Sequence, residues 1–337
     1  MGALTQIYVD PSLDSDSGTG TDVDPYGDLQ YALNTHARDA TNGNRINIKA
    51  GAAEVLSTIL NFTNFTTPTS AVAPIVFAGW DGVGVIDGGG GAVISTSAHM
   101  HFRDLEIKNG GSSTLVATAG AGCSIIRCKI DNTSGIGINL GGTNCLVSNC
   151  EITDCGEGVV AASSSCSILN NYFKFGATRN FTSAVKPTST TTTSIERNIF
   201  SMGTTGIAID IQITGVKVIS NSIFANGSSE AGIVISAATR TGQAIIINNV
   251  IEGFSDTGGR GISFINTTTV PLQYAHNACF NNETNYHQIG DAIAVEDEDN
   301  EVLTASPFAK SGADTFANRF AYFSPTTEGN IRGGAIQ

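Results

Sequence analysis

The chain has 337 residues, of which 41 % are hydrophobic and 14 % are charged, and its formal net charge is −13. A strongly acidic chain without a run of basic residues is a poor partner for a phosphate backbone, which argues against a nucleic-acid-binding protein. No apolar run reaches the length of a membrane span, and residues 1–10 have neither the basic nor the apolar region of a signal peptide. The seven cysteines cannot all pair, and they indicate assembly in a reducing compartment.

The first 45 residues predict a strand, a polar loop and a short helix. The segment from Ile7 to Pro11 has the composition of a strand that ends in a turn. The loop that follows is rich in carboxylates, and four of them are candidate calcium ligands: Asp14, Asp16, Asp22 and Asp24. Their spacing departs from that of an EF-hand, so a polar loop without a metal is the alternative. Apolar residues at 29, 32 and 33 predict an amphipathic helix that caps the open end of a solenoid.

The winding of the chain is expected to begin at Ile46, with early coils at 74–77 and 83–87. Trp80 is the only tryptophan of the chain. Its indole has two interpretations, packing under the N-terminal cap or stacking on a sugar ring, and the sequence leaves both open.

A repeat of strand, turn and strand organises the middle of the chain. The stretches that start at Cys123, Cys145 and Cys166 align almost residue for residue, at offsets of 22 and 21 residues. The same frame places one marker residue in each of eight coils: Leu105, Cys128, Cys150, Asn171, Asn198, Asn221, Asn249 and Asn277. A fixed period of this size with short apolar strands is typical of a β-solenoid.

The five asparagine markers predict a buried ladder. Asparagine tolerates left-handed backbone angles in turns, and amides stacked one coil apart can bond to each other. The residues of this structural ladder are Asn171, Asn198, Asn221, Asn249 and Asn277. Ligand binding is the functional alternative for them. The stacked cysteines are likewise predicted to be packing residues, with a metal site as the alternative.

A third strand follows each turn and opens with glycine, as at Gly158, Gly206 and Gly232. When these glycines are aligned, the next outward positions are small and largely apolar, which is typical of an interface. The interface residues predicted from this stripe are Val160, Ala208 and Val234. Residues 177–193 interrupt the pattern and are expected to form a lateral lobe or a long polar loop.

After Cys279 the repeat is lost from the sequence. The predicted organisation is therefore an N-terminal strand, loop and helix cap at 1–45, a parallel β-helix at 46–290 and a C-terminal cap or tail at 291–337.

These coils resemble the right-handed parallel β-helix family that includes pectate-lyase-like enzymes and phage tailspikes, over roughly residues 70–290. The opening segment and the closing Gly334-Ala335-Ile336-Gln337 are similar to the ends of bacterial and phage β-helix proteins. The resemblance implies an all-β chain that forms a right-handed parallel β-helix with a short N-terminal helical cap and an irregular C-terminal cap. It says little about chemistry, because that fold hosts many functions.

Enzymes of this family carry their catalytic groups on the outside of a parallel sheet. Lyases use a lysine or arginine base beside calcium-binding acids, and hydrolases use clustered aspartates. The outward positions assigned from the repeat contain no such cluster. If the protein were an enzyme, the loop carboxylates Glu157, Glu230 and Asp256 would be its catalytic candidates.

The function expected from these observations is that of a non-enzymatic structural protein of a phage virion, such as a capsid decoration, a head fibre or a tailspike-like protein. Its expected partners are further copies in a homotrimer, other virion proteins and, as an option, a cell-surface glycan. Assembly would take place in the host cytoplasm, without a cofactor unless calcium binds the N-terminal loop. The alternative is a polysaccharide lyase or glycoside hydrolase that acts as a depolymerase.

Overall fold

The computed structural model describes residues 3–13, 17–36, 39–56, 60, 73–91, 94–96, 99–176, 178–189, 192–213, 215–228, 230–236, 244–265, 272–288, 295–298 and 301–302. The chain divides into two compact units, Met1–Cys155 and Gly156–Gln337. Among the described residues there is one helix, α1 (Leu29–Thr35), and the rest of the regular structure is β-strand.

The strands that begin in the first unit are β1 (Thr5–Val9), β2 (Asn44–Lys49), β3 (Ala53–Val55), β4 (Ile75–Trp80), β5 (Gly84–Asp87), β6 (Ile94–Thr96), β7 (Met100–Arg103), β8 (Leu105–Gly111), β9 (Val116–Thr118), β10 (Ser124–Ile126), β11 (Lys129–Leu140), β12 (Leu146–Ser148) and β13 (Glu151–Ala161). The strands that begin in the second unit are β14 (Ser167–Leu169), β15 (Tyr172–Lys174), β16 (Ser183–Pro187), β17 (Thr193–Glu196), β18 (Ile199–Met202), β19 (Ile207–Ile211), β20 (Val216–Ile219), β21 (Ser222–Ala225), β22 (Ala231–Ile235), β23 (Ala244–Ile247), β24 (Val250–Glu252), β25 (Arg260–Phe264), β26 (Leu272–Ala275), β27 (Ala278–Phe280), β28 (Thr284–Gln288), β29 (Val295–Glu298) and β30 (Glu301–Val302).

Each unit is a β-solenoid in which three parallel sheets run along the axis. In the first unit the first sheet has the order β1-β2-β4-β7-β10-β12, and in the second unit it has the order β14-β17-β20-β23-β26-β29. The second sheet of the second unit is β15-β18-β21-β24-β27-β30. Its third sheet runs from the end of β13 through β16, β19, β22, β25 and β28. The predicted parallel β-solenoid is confirmed.

Seven of the eight marker residues lie at the turn between a first-sheet strand and a second-sheet strand, and Leu105 is the first residue of β8. The left-handed backbone angle belongs to the residue before the marker and not, as the sequence argument assumed, to the marker. The residues in this conformation have φ between 53° and 59°: Asp104, Arg127, Asn149, Asn170, Arg197, Ser220, Asn248 and His276. The marker itself points inward, because the turn is already made one residue earlier.

The core consists of files of equivalent side chains along each axis. In the first unit one fully buried file of the first sheet contains Ile7, Ile46, Phe77, Phe102, Ile125 and Val147. Burial of each such side chain contributes about 1.5–3 kcal/mol to folding. Successive side chains of a strand point to opposite faces of a sheet, so residues in register on neighbouring parallel strands share a face and stack. The rings of Phe77 and Phe102 accordingly stack at 5.1 Å.

The asparagine markers of the second unit are fully buried and joined by hydrogen bonds. The Nδ2 of Asn171 donates to Oδ1 of Asn198, and the same contact recurs from Asn198 to Asn221, from Asn221 to Asn249 and from Asn249 to Asn277, at 2.9–3.0 Å. Each acceptor oxygen also takes the backbone N–H of the preceding asparagine. The three interior amides of this asparagine file, those of Asn198, Asn221 and Asn249, are therefore each tied to two neighbouring coils.

Helix α1 caps the first unit, as its apolar positions predict. The carboxylate of Asp28 accepts a hydrogen bond from the backbone N–H of Tyr31, which satisfies one of the free donors at the start of the helix. Leu29, Ala32 and Leu33 are buried. The strand that precedes the helix in the chain, β1, pairs in parallel with β2, so the first sheet already includes residues N-terminal to the helix.

Two segments differ from the expectation. Residues 177–193 do not form only a lobe or a polar loop, because β16 lies within them and pairs with β13 and β19. The strands also continue past residue 290, where β29 pairs with β26 and β30 with β27. Both strands lie in polar sequence, where main-chain pairing continues although the apolar alternation is lost. Most of the predicted C-terminal cap, 291–337, lies outside the described residues.

All seven cysteines are buried, and none of them forms a disulfide bond. Several of the thiols donate to backbone carbonyls, as Cys123 does to Gly120 at 3.3 Å and Cys150 to Ile125 at 3.4 Å. The described part of the chain contains no group of three or more histidine, cysteine or acidic side chains arranged to hold a metal ion. It also contains no helix with the length and apolarity needed to cross a membrane.

Candidate functional site

The outer face of the third sheet in the second unit carries a file of polar and apolar side chains. Strand register places one residue of each third strand in this outer file: Val160, Lys186, Asp210, Val234, Ser263 and His287. Neighbouring members are one strand spacing apart, about 4.8 Å. Four of the six carry hydrogen-bonding or charged groups, so this face is the strongest candidate for a site.

Lys186 lies in the outer file beside a carboxylate from the neighbouring strand. Its Nζ is 2.7 Å from Oε1 of Glu157, and the side chains of Lys186 and Glu157 are 25 % and 23 % exposed. β16 presents Lys186 outward because Val185 and Pro187 on either side of it are buried. Because its ammonium group is already in an ion pair, Lys186 is not available to bind an anion or, after losing a proton, to act as a base.

Asp210 follows Lys186 in the outer file and is only 7 % exposed. Its Oδ1 accepts a hydrogen bond from the hydroxyl of Ser236 at 3.1 Å, and its Oδ2 accepts one from Nε2 of Gln212 at 2.8 Å. A carboxylate that is covered and has a donor on each oxygen is held in one orientation. The outer file thus contains a lysine with two acids nearby, Glu157 and Asp210.

The far end of the outer file is formed by a hydroxyl, an imidazole and a guanidinium group. Oγ of Ser263 is 3.2 Å from Nδ1 of His287, and Nη1 of Arg260 donates to the same hydroxyl at 3.4 Å. Partial burial, and then the positive charge of Arg260, lower the pKa of His287. The imidazole therefore favours its neutral form at this end of the file.

The rows of these residues differ from the sequence prediction, because that prediction aligned the glycines that open the third strands. In the structure Ile209 pairs with Ile233, so Gly232 is equivalent to Ala208 and not to Gly206. The connection before β19 is shorter, and Gly206 precedes the strand with φ +102°. The frame was therefore wrong by two residues in this coil: it placed Asp210 on the outer face but in the row next to that of Val234, and it left β16 with Lys186 out altogether.

The same shift changes the predicted interface. Ala208 is fully buried, and it lies in a crowded row in which a Cβ at Gly158 would come within 2.4 Å of the Ala184 carbonyl. Val160 and Val234 do belong to the outer file, but Lys186 and Asp210 separate them. The continuous apolar stripe inferred from the sequence is thus not present on this face.

The three candidate catalytic carboxylates do not form one cluster. Strand register separates Glu157 from the start of β22, next to Glu230, by three strand spacings, about 14 Å. Paired carboxylates of glycosidases are about 5–10 Å apart. Asp256 lies in the connection before β25, where its carboxylate faces Gly227 in the connection of the preceding coil. Glu230 and Asp256 thus belong to neighbouring connections, and Glu157 is paired with Lys186.

Of the four candidate calcium ligands, Asp14 and Asp16 lie outside the described residues. Asp22 and Asp24 are exposed, and Oδ2 of Asp24 accepts the backbone N–H of Thr19 at 3.0 Å. Closing this loop is therefore one role of Asp24, and calcium binding stays a prediction.

Known proteins with this architecture differ widely in function. No curated protein matches the chain in sequence. Among solved structures, pectate lyase Pel9A matches with a TM-score of 0.70 and 14 % identity, over 98 % of this chain and 91 % of that one. A glycoside hydrolase matches with a TM-score of 0.72 and 10 % identity, over 88 % and 96 %. The tailspike protein of E. coli bacteriophage HK620, as a double mutant, matches with a TM-score of 0.51 and 13 % identity, over 77 % and 59 %.

At these identities the likeness shows the fold alone. The sequence profile described as "Right handed beta helix region" matches residues 80–200 and 122–271, which together span more than half of the chain. The chain therefore belongs to the right-handed β-helix family.

Proposed function

We propose that this chain is a non-enzymatic structural protein of a phage virion, in the position of a capsid decoration, a head fibre or a tailspike. The observation that carries the proposal is that Lys186 and Asp210 of the outer file already have ionic or hydrogen-bonding partners among neighbouring side chains. Lys186 is ion-paired with Glu157, and Asp210 is covered and has a donor on each carboxylate oxygen.

This arrangement argues against catalysis for a physical reason. A general base needs a lone pair within reach of the proton that it abstracts, and an ammonium group in an ion pair has none. A hydrolase needs two carboxylates on either side of a bond, whereas Glu157 and Asp210 lie on strands two spacings apart and at different heights along them.

The virion part of the proposal is supported by the thiols and by the fold. Seven buried cysteines without a disulfide bond fit a protein that folds in a reducing cytoplasm, where virions assemble. One of the structures that the chain resembles in fold is named as a phage tailspike. The presence of the gene among capsid and portal genes is the expected result of examining its neighbourhood, and a cluster of sugar-utilisation genes would contradict the proposal.

Self-association into a homotrimer is part of this proposal. Val160 and Val234 are the apolar groups of the outer file, and they are 7 % and 6 % exposed in the single chain, whereas Ala208 lies in another row and is 0 % exposed. Sedimentation equilibrium is expected to give three times the chain mass, and a monomer over the whole concentration range would exclude the trimer.

The non-enzymatic part is tested by incubating the protein with a panel of capsular and pectic polysaccharides. We expect neither unsaturated ends, the product of a lyase, nor new reducing ends, the product of a hydrolase. Turnover of any member of the panel above the level of a heat-denatured sample would contradict it.

A polysaccharide-cleaving enzyme is the second candidate, and one observation favours it. Lys186, Glu157 and Asp210 bring a lysine and two acids together on the outside of a parallel sheet, which the repeat frame had missed. If turnover is found, this candidate requires that Lys186→Met abolish it. Lys217→Met, at an exposed position of the first sheet, is the matched control and is expected to retain full turnover.

A further inference from the structure

The outer face of the first sheet in the first unit carries an aromatic and basic patch near its N-terminal edge. Strand register places Tyr8, Asn47, Ala78 and Arg103 in one outward row, and Lys49 with Trp80 in the next. None of these residues belongs to the third sheet, so the patch is independent of the function proposed above.

Trp80 and Tyr8 form the apolar part of the patch. Their ring centroids are 5.0 Å apart in an edge-to-face arrangement, and both side chains remain partly exposed. Nζ of Lys49 lies 5.5 Å from the centroid of the indole. The structure therefore places Trp80 on the outer surface of the sheet, which decides against packing under the helical cap.

Lys49 is fixed in this position by a buried acid. Its Nζ is 2.6 Å from Oδ2 of Asp10, and Oδ1 of Asp10 accepts hydrogen bonds from the backbone N–H and hydroxyl of Ser12. Burial alone would raise the pKa of Asp10, but the hydrogen bonds from Lys49 and Ser12 outweigh it and lower the pKa. The ion pair with Asp10 therefore holds the ammonium group of Lys49 beside the indole.

Two arginines on the same face have no carboxylate partner of their own. Nε of Arg45 donates to Oδ1 of Asn47 at 2.9 Å, and Arg103 is exposed. Within the residues that the structure describes, neither makes an ion pair. Asp104 is held instead by Nε and Nη2 of Arg127 at 2.7 Å, and these hydrogen bonds lower its pKa most, with smaller contributions from the charges of Arg103 and Arg45.

The spacing of these groups suits one sugar unit and its acid group. Arg103 is one strand and two residues from Trp80, about 8 Å between backbones, whereas Arg45 is one strand and two residues from Tyr8 and about 14 Å from Trp80. The apolar face of a pyranose can pack on an indole, and a guanidinium binds a carboxylate through two parallel hydrogen bonds. A chain with a net charge of −13 would otherwise repel such a ligand, so a local group of cations is required.

We propose that this patch binds an acidic saccharide, with one sugar ring stacked on Trp80 beside Tyr8 and its carboxylate held by Arg103, while Arg45 adds positive charge to the same face beside Tyr8. Lys49 supports the site by its fixed charge and by lying beside the indole. Recognition combines shape and charge, so a neutral saccharide of the same length binds more weakly.

The fluorescence of Trp80 reports this site directly, because the chain contains one tryptophan. The full chain is titrated with short oligogalacturonate and, separately, with an oligomer of sialic acid. A saturable change in emission is expected with at least one of them. Fully methyl-esterified oligogalacturonate has the same ring and linkage without the charge, and its binding is expected to be weaker by about tenfold or more.

Two variants assign the binding to the patch. Arg103→Gln changes an exposed side chain and is expected to weaken the acidic probe about tenfold while leaving the melting temperature unchanged. Arg197→Gln, an exposed arginine of the second unit, is the matched control and is expected to bind like the parent. For Trp80→Phe, which removes the reporter, calorimetry is expected to detect weaker binding of the same probe.

Three outcomes would overturn the proposal. They are no saturable change with either acidic probe, equal affinity for the esterified and free oligogalacturonate, and equal weakening by Arg197→Gln and Arg103→Gln. A single-stranded DNA oligonucleotide that binds as tightly as the saccharides would also overturn it, because the patch would then recognise charge alone.

Discussion

The two units build the same turn with different inward residues. In the first unit the marker positions hold Leu105, Cys128 and Cys150, and in the second unit they hold the five asparagines of the asparagine file. All eight are buried, and all follow a residue in the left-handed conformation. The backbone of the turn therefore does not require asparagine. The two units must differ in the contacts that the marker side chain makes in the core.

The contacts show what that difference is. The thiol of Cys128 donates to the carbonyl of Ile126 at 3.5 Å, a contact made within its own coil. Asn221 instead accepts from Asn198 and donates to Asn249 and to the carbonyl of Ile195. A thiol marker is thus satisfied by a backbone carbonyl of its own or the preceding coil, whereas Asn198, Asn221 and Asn249 each bond to an asparagine on either side.

The largest expected effect comes from placing the residue of the first unit into the second. Asn221→Cys removes the acceptor of the backbone N–H of Asn198, and it leaves the carbonyl of Ile195 without its donor. Each buried group left without a partner costs about 1–3 kcal/mol, so we expect about 3 kcal/mol of lost stability. Urea unfolding measures the loss, and hydrogen exchange at the amide of Asn198 should become faster. A loss in the free energy of unfolding no larger than the roughly 1 kcal/mol expected from the smaller side-chain volume would mean that the asparagine file does not stabilise the unit.

The reverse exchange is expected to be smaller but still unfavourable. Cys128→Asn introduces an amide between Leu105 and Cys150, neither of which can satisfy it as an asparagine would, at a cost of about 1–3 kcal/mol. Cys128→Ala is the control for lost volume and should cost about 1 kcal/mol. Urea unfolding of both variants makes the comparison. If Cys128→Asn were as stable as the parent, the amide would not need its amide neighbours.

Alkaline pH should affect the buried thiols of both units. Burial raises the pKa of Cys150 well above its ordinary value, and burial likewise raises that of Cys279 to about 12. The unfolded thiol ionises near pH 9 and the folded thiol does not, so stability is intact below pH 9 and is lost between pH 9 and about 12. The slope is about 1.4 kcal/mol per pH unit for each thiol. Cys279→Ala should make the slope of urea-derived stability against pH shallower, and an unchanged slope would contradict this assignment.

The smallest effect is expected at the exposed residue of the turn. Arg127 and Asp104 occupy equivalent positions in neighbouring coils, and their side chains are 56 % and 40 % exposed. Hydrogen bonding to Arg127 lowers the pKa of Asp104, so the stability from this pair is present above pH 4 and is lost on further acidification. Solvent screening limits it to about 0.2–1 kcal/mol. Arg127→Gln should show this loss in low salt and less of it in high salt, whereas an equal loss in both would indicate packing and not charge.

Part of the candidate site was hidden from the sequence by the third strands. Their alignment rested on glycine, and glycine marks a crowded row at Gly232 but a left-handed corner at Gly206. Glycine therefore occurs at these two positions for different physical reasons, and aligning them shifted β19 by two residues relative to β22. Because strand alternation has a period of two, the error kept every side chain on the correct face but in the wrong row.

The sequence by itself determined the architecture of the solenoid. Inward residues recur once per coil, and a strand that buries one face must alternate, so the period and the faces could be obtained from Cys123, Cys145 and Cys166 alone. Only the tertiary structure decided which outward groups meet, as Lys186 with Glu157 or Tyr8 with Trp80. These partners are set by the lengths of connections between coils. Such lengths vary at little entropic cost and leave no periodic signal in the sequence.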